Sequence, residues 1–106
     1  MIRFLPPVEV NGYIDLKIEW VDKGEVTGGV TLSFAHGECL GHDMWSNSTD
    51  KHAALKIWRA ATKVLDDVGI GTVNITIRDG DPLEEFWKRR GFAPQFTMYR
   101  GDIHGR

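Results

Sequence analysis

The chain has 106 residues, a net charge of −2, and a composition that is 42% hydrophobic and 26% charged. That is the profile of one ordinary globular domain with a modest core, in need of no metal or disulfide staple. It excludes a membrane span, since no apolar run approaches ~20 residues. It also excludes an internal disulfide, because Cys39 is the only cysteine. A lone thiol fits a reducing, cytoplasmic compartment. Residues 1–7 are too short, and too soon broken by Pro6-Pro7, to read as a signal peptide. The charge is unevenly spread: residues 1–50 carry three Lys/Arg and eight Asp/Glu, and residues 51–106 carry ten and seven.

Residues 13–20 alternate, with Ile14, Leu16, Ile18 and Trp20 against Tyr13, Asp15, Lys17 and Glu19. This predicts a half-buried strand. Residues 21–24 make a turn. Val26, Val30, Leu32 and Phe34 space a second strand over 25–34, with Gly28-Gly29 expected as a bulge or kink. After a turn at His36-Gly37, a third strand is expected over 39–45, interrupted by Gly41. Residues 46–50 (Ser-Asn-Ser-Thr-Asp) are capping residues for a long helix over about 51–68. Its apolar stripe is Ala54, Ile57, Trp58, Ala61, Leu65 and Val68, and Gly69 stops it. Residues 72–78 alternate again, with Val73, Ile75 and Ile77 on one face, and Asp79-Gly80 is a turn pair.

The segment after that turn reads as a short helix marked at both ends. Asp81 is an N-cap, Pro82 takes the first helical position, and Glu84 completes a capping box. Gly91 ends the helix, and a last extended segment comes at 95–100. A strand–helix–strand unit around the long helix implies a parallel pair with a right-handed crossover. The expected architecture is therefore a single α+β domain over 1–106, with a mixed central sheet and a long helix after an antiparallel meander.

Phe86-Trp87, three polar residues and Gly91-Phe92 together resemble the signature that closes the acyl-CoA site of the GNAT family of N-acetyltransferases. The likeness covers roughly residues 13–100. It implies a GNAT order of elements without the two helices that such proteins usually carry between their first two strands. It further implies acetyl-CoA as cofactor, an amine as acceptor, and no metal. A shortened, degenerate GNAT domain of this kind also resembles proteins of short-tailed phages, which implies a phage origin.

Under that resemblance the CoA pyrophosphate would meet the start of the long helix, where unpaired amides and the helix dipole favour an anion. The best register of the family's loop pattern is Thr49-Asp50-Lys51-His52-Ala53-Ala54. His52 stands where a glycine is usual, Thr49 replaces an Arg or Gln, and Ala54 meets the requirement for a small residue. Lys88 and Arg89 would face the nucleotide end, the alternative being a solvated helix end. The family's general acid, a tyrosine four residues before the Gly of Gly-Phe, corresponds to Trp87. An indole donates a hydrogen bond but no proton near neutral pH, which leaves water or Tyr99. Glu38 and Asp43 are the candidate bases. The spacing of His36, Cys39 and His42 invites a metal reading with Asp43, but strand positions three apart point to opposite faces.

Three readings are open. One is a compact acyl-CoA N-acyltransferase whose open acceptor site suits a protein lysine or N-terminal amine. Another is a GNAT-fold binding or virion protein without catalysis. The third, a nucleic-acid-binding domain, is disfavoured by the acidic first half and by the lack of a concentrated basic stripe.

Overall fold

The computed structural model describes residues 1–47, 51–77, 81–95 and 98–105, and their side chains apart from those of residues 51, 94, 95, 98 and 99. Three dipeptides, Asn11-Gly12, Lys23-Gly24 and His36-Gly37, each hold two successive residues at positive φ. That backbone twist matches antiparallel strands and makes tight hairpins. The three turns join β2 (Val8–Val10) to β3 (Tyr13–Asp22), β3 to β4 (Glu25–Ala35), and β4 to β5 (Glu38–Ser46). β1 (Ile2–Phe4) pairs with the second half of β3, while β2 pairs with the first half. Neither short strand shows in the alternation pattern, because three residues are too few to reveal a period. Asn11-Gly12 is the sequence signal that marks them.

The crossover helix α1 (Lys51–Asp67) comes next, and then β6 (Thr72–Thr76), α2 (Glu84–Arg89), β7 (Ala93–Gln95) and β8 (Met98–Asp102). The sheet order is β1-β3-β4-β5-β6-β8-β7, with β2 also on β3. Among the described residues, only β5 and β6 pair in parallel, as the strand–helix–strand pattern predicts. The Asp79-Gly80 turn lies outside the described residues.

α1 buries Ala53, Ala54, Ile57, Trp58, Ala61 and Leu65 against Ile18, Val30, Leu32, Val73 and Ile75. Val68, expected on this stripe, is exposed instead. The helix ends at Asp67, where Gly69 N–H reaches Asp66 O and Ile70 N–H reaches Leu65 O. This Schellman turn redirects the chain at Gly69, one residue after Val68, whose N–H still reaches Val64 O. Gly28 also has a different role from the expected bulge. A Cβ there would come within 2.7 Å of Ile57 Cδ1, so the missing side chain lets α1 settle on the sheet. The irregularity in β4 falls on neighbouring Thr27, which is passed over between the Trp20↔Gly28 and Val21↔Val26 pairs.

α2 is shorter than its sequence signals imply. Asp81 Oδ1 accepts from the Leu83 amide at 2.7 Å, and residues 82–83 form a turn before the helix begins at Glu84. Its far end is a second Schellman motif. Gly91 sits at φ 81°, Gly91 N–H reaches Lys88 O, and Phe92 N–H reaches Trp87 O. Both helices lie on one face of the sheet, joined where Trp58 meets Trp87 edge-on at 4.8 Å. Among the described residues no helix covers the other face, which carries Asp15, Lys17, Thr31, Ser33, His42 and Asn74 by strand alternation.

Candidate functional site

The parallel strands β5 and β6 pair at Leu40↔Asn74 and Gly41↔Ile75. Gly41 permits this approach, since a Cβ there would lie 2.5 Å from Ile75 Cδ1. β5 then continues to Ser46 through a bulge. Between the pairs Thr31↔His42 and Gly29↔Trp45, β4 has only Val30 while β5 has Asp43 and Met44. Asp43 holds a φ of 53°, a conformation that aspartate tolerates better than most residues. Such a bulge bends its strand and sharpens the twist, so β5 turns away just beyond its last pair with β6. It also resets the alternation: Asp43 is exposed and Met44 is buried.

A cleft lies at this divergence. On the helix face a hollow of about 380 Å³ is bounded by Met44 and Ser46 of β5, Asn47 just beyond its end, Ala54 of α1, and Asp81, Leu83 and Phe86 before and within α2. On the uncovered face a second hollow of about 330 Å³ is bounded by His42, Asp43, Thr76 and Asp81. Met44, Trp45 and Asp81 border both, so the two hollows are neighbours. Each falls within the usual size of a small-molecule site.

The uncovered side carries a chain of polar side chains drawn from three strands. Ser33 Oγ donates to Asp15 Oδ1 at 2.6 Å. The same hydroxyl lies 2.8 Å from His42 Nε2, and His42 Nδ1 lies 3.1 Å from Asp43 Oδ2. A hydroxyl has one proton to donate. With that proton on Asp15, Ser33 accepts from Nε2–H, and Nδ1–H donates to Asp43. An imidazole protonated on both nitrogens completes all three bonds. Asp43, whose side chain is 78% exposed, is the outer end of this chain, and His42 is its half-buried centre.

The structure brings together some of the residues expected from sequence and separates others. Asp43 and Ala54 border the cleft. Ala53 is fully buried on the core-facing side of α1 and His52 is exposed at the helix start. Thr49, and the side chains of Lys51 and Tyr99, lie outside the described residues. Glu38 is at the opposite end of β5, beside Gly69, Gly71 and Arg100, and does not share the cleft. Trp87 is 1% exposed and stacks edge-on with Trp58, Phe86 and Phe92. It borders neither hollow, which places it in the core. Lys88 pairs with Glu84 at 3.1 Å, and Arg89 points into a different cavity, with Arg59 and Arg90. The three residues of the metal spacing are scattered: His36 is in a turn, Cys39 is in the core, and His42 is on the opposite face. Sequence reasoning missed His42 as a cleft residue and Ser33 as its hydrogen-bond neighbour. Their link depends on the cross-strand register of β3, β4 and β5, which no local pattern displays.

No family model matches the chain, and no curated protein matches it. Solved structures do. PaiA N-acetyltransferase from Thermoplasma acidophilum, in complex with coenzyme A, superposes with a TM-score of 0.71 at 12% identity, over 83% of this chain and 60% of that one. An acetyltransferase of the GNAT family from Staphylococcus aureus Mu50 gives 0.71 at 9% identity, over 84% and 68%. Aminoglycoside 6′-acetyltransferase type Ii gives 0.63 at 15%, over 84% and 69%. Identities this low speak for fold alone. The chain has the α+β fold of the GNAT acetyltransferases, and it spans 60% of the length of the Thermoplasma protein.

Proposed function

We propose that this chain is an acyl-CoA N-acyltransferase of GNAT type. The observation that carries the reading is the cleft opened by the Asp43 bulge between the parallel strands β5 and β6, next to the start of the helix that connects them. The residues present fit a CoA thioester. The start of α1 turns the positive end of the helix dipole towards a pyrophosphate. Ala54 keeps the wall of the helix-face hollow low, and the hollow is apolar enough for a pantetheine arm.

When bound, acetyl-CoA supplies the acyl group as a thioester. The acceptor amine would enter from the uncovered face. Asp43, backed by His42, takes the proton that the amine loses as the new nitrogen–carbon bond forms and the carbon–sulfur bond breaks. Passed from Asp43 to Nδ1 of a neutral His42, that proton gives an imidazolium, which donates to Asp43 and to Ser33 Oγ while Ser33 donates to Asp15. Solvent is the proton source for the departing thiolate, because Trp87 is sequestered. With no helix over the uncovered face among the described residues, a lysine or N-terminal amine on a protein is the acceptor this site suits.

A second reading, a GNAT-fold binding or virion protein without turnover, draws on one observation: the buried Trp87 sits where the family's acid would be. Calorimetry with acetyl-CoA, and a thiol-release assay with lysine and N-terminal peptides, separate the two. Asp43→Asn and His42→Gln are expected to lower kcat by ~10²–10⁴ while leaving acetyl-CoA binding intact. Tight binding with no turnover in any variant would favour the second reading. No binding at millimolar acetyl-CoA would remove the first.

A further inference from the structure

Outside the cleft, a hollow of about 420 Å³ gathers Arg59 of α1 with Arg89 and Arg90 at the end of α2, over a floor that includes Trp58 and Ile103. The hollow's remaining titratable neighbour, His104, is tied by its Nε2 to Asp66 at 3.0 Å. Arg90 is fixed in place. Its guanidinium stacks 3.6 Å from the centre of the Phe86 ring and donates to Phe86 O at 3.0 Å. Burial, and then the charges of Arg59 and Arg89, lower the pKa of Arg90, in keeping with three cations close enough to feel one another.

Among the described residues, neither Arg59 nor Arg89 has an acidic partner. For Arg89 this is telling. Glu85 stands four residues before it, where helical spacing offers an ion pair, and the neighbouring Glu84 and Lys88 do make that pair. A helix end attracts cations, which accounts for Arg89 and Arg90. It does not account for Arg59, which comes from the middle of α1. Three guanidinium groups that cannot discharge near neutral pH repel one another unless an anion lies between them.

We propose that this hollow binds a terminal phosphate. A phosphate monoester presents several oxygens to several guanidinium forks at once. A long polyanion is a poorer match, because residues 1–50 carry a net negative charge. Two sources share this chemistry. One is a separate phosphorylated ligand. The other, which rests on the acyltransferase reading, is the 3′-phosphate of CoA. The hollow continues the groove between α1 and α2: Ala54 and Phe86 border the cleft, and Leu55, Arg59, Arg89 and Arg90 border the hollow. From residue 54 to 59 along α1 is about 7.5 Å.

The test is calorimetry and thermal denaturation of wild type and of the Arg59→Gln/Arg89→Gln double variant. The probes are inorganic phosphate, CoA and dephospho-CoA, with chloride at matched ionic strength as control. If the cofactor supplies the phosphate, wild type binds CoA at least about tenfold more tightly than dephospho-CoA, the worth of one charge-assisted hydrogen bond. The double variant loses that preference but still binds both. If a separate ligand supplies it, phosphate raises the Tm of wild type beyond the chloride control and leaves the variant unmoved, while CoA and dephospho-CoA behave alike. Should neither CoA form bind while phosphate still protects, the acyltransferase reading fails and this site stands. No phosphate effect and no preference for CoA would overturn the site, whether or not the cleft binds cofactor. Should the double variant misfold, Arg59→Gln alone, on the exposed side of α1, carries the same comparisons.

Discussion

Cys39 shows how placement overrides what a residue type advertises. Its thiol is packed in the core on the helix-covered face, and burial pushes its pKa from the ordinary 9.0 up to about 12. The folded chain therefore holds this proton more tightly than the unfolded chain does. The resulting stabilisation is complete below pH 9 and is lost as the pH rises towards 12. Urea unfolding across that range should show stability falling with pH in wild type and a shallower fall in Cys39→Ala. Labelling with a thiol reagent at pH 8 should be slow in the native state and fast in denaturant. Rapid native labelling would show that the thiol is reachable after all. Asp43 makes the complementary case. Its positive φ both creates the bulge and turns its own carboxylate outward, so a residue that sequence marks only as a strand-end acid becomes the outer member of a hydrogen-bonded chain.

At the scale of elements, the best example is the docking of α2. Gly91 is readable as its stop because a glycine C-cap is a local matter of a few residues, whereas Asp81 closes a turn ahead of the helix, which begins at Glu84. Where the helix sits is not readable. Phe92, placed by the Schellman turn, lies across Gly101 of β8, and a Cβ at Gly101 would come within 2.8 Å of the Phe92 ring. The ring is held on its other sides by Trp58 and Trp87, so it cannot swing aside cheaply. Gly101→Val should destabilise the protein by about 1–3 kcal/mol, the usual cost of overpacking. Thermal denaturation measures it, and adding Phe92→Leu should recover part of the loss. A Gly101→Val protein as stable as wild type would mean that the ring can move aside freely.

Across the whole molecule, stability should be graded from the middle of the sheet outward. Ile18, Val30, Leu32 and Ile75, on β3, β4 and β6, are fully or almost fully buried, whereas β1 and β2 are three residues each and pair in the sheet with β3 alone. Amide hydrogen exchange should therefore be slowest at those four residues and fastest in β1 and β2, which open locally without global unfolding. Equal protection of β1 and β4 would contradict this gradient. The uneven surface charge takes its meaning at this scale too. The basic excess of the second half looks diffuse along the chain, yet folding collects Arg59, Arg89 and Arg90 into one hollow.

What the sequence determined by itself is whatever depends on neighbours a few residues apart. This includes the hairpin turns, the helical stripe from Ala54 to Leu65, the Gly stops at 69 and 91, and the order of elements that implies a parallel pair. Local backbone preference and a 2.0 or 3.6 residue period are enough for these. Tertiary structure alone decided the rest. It opened the cleft, because the bulge at Asp43 exists only as a mismatch between β5 and β4. It linked Asp15, Ser33, His42 and Asp43, because that chain requires the register of three strands at once. It put Trp87 in the core and Glu38 at the end of β5 away from the cleft, because burial and position depend on what packs around a residue rather than on its place in a motif. Register and packing join residues far apart in the chain, and no short window of sequence carries that information.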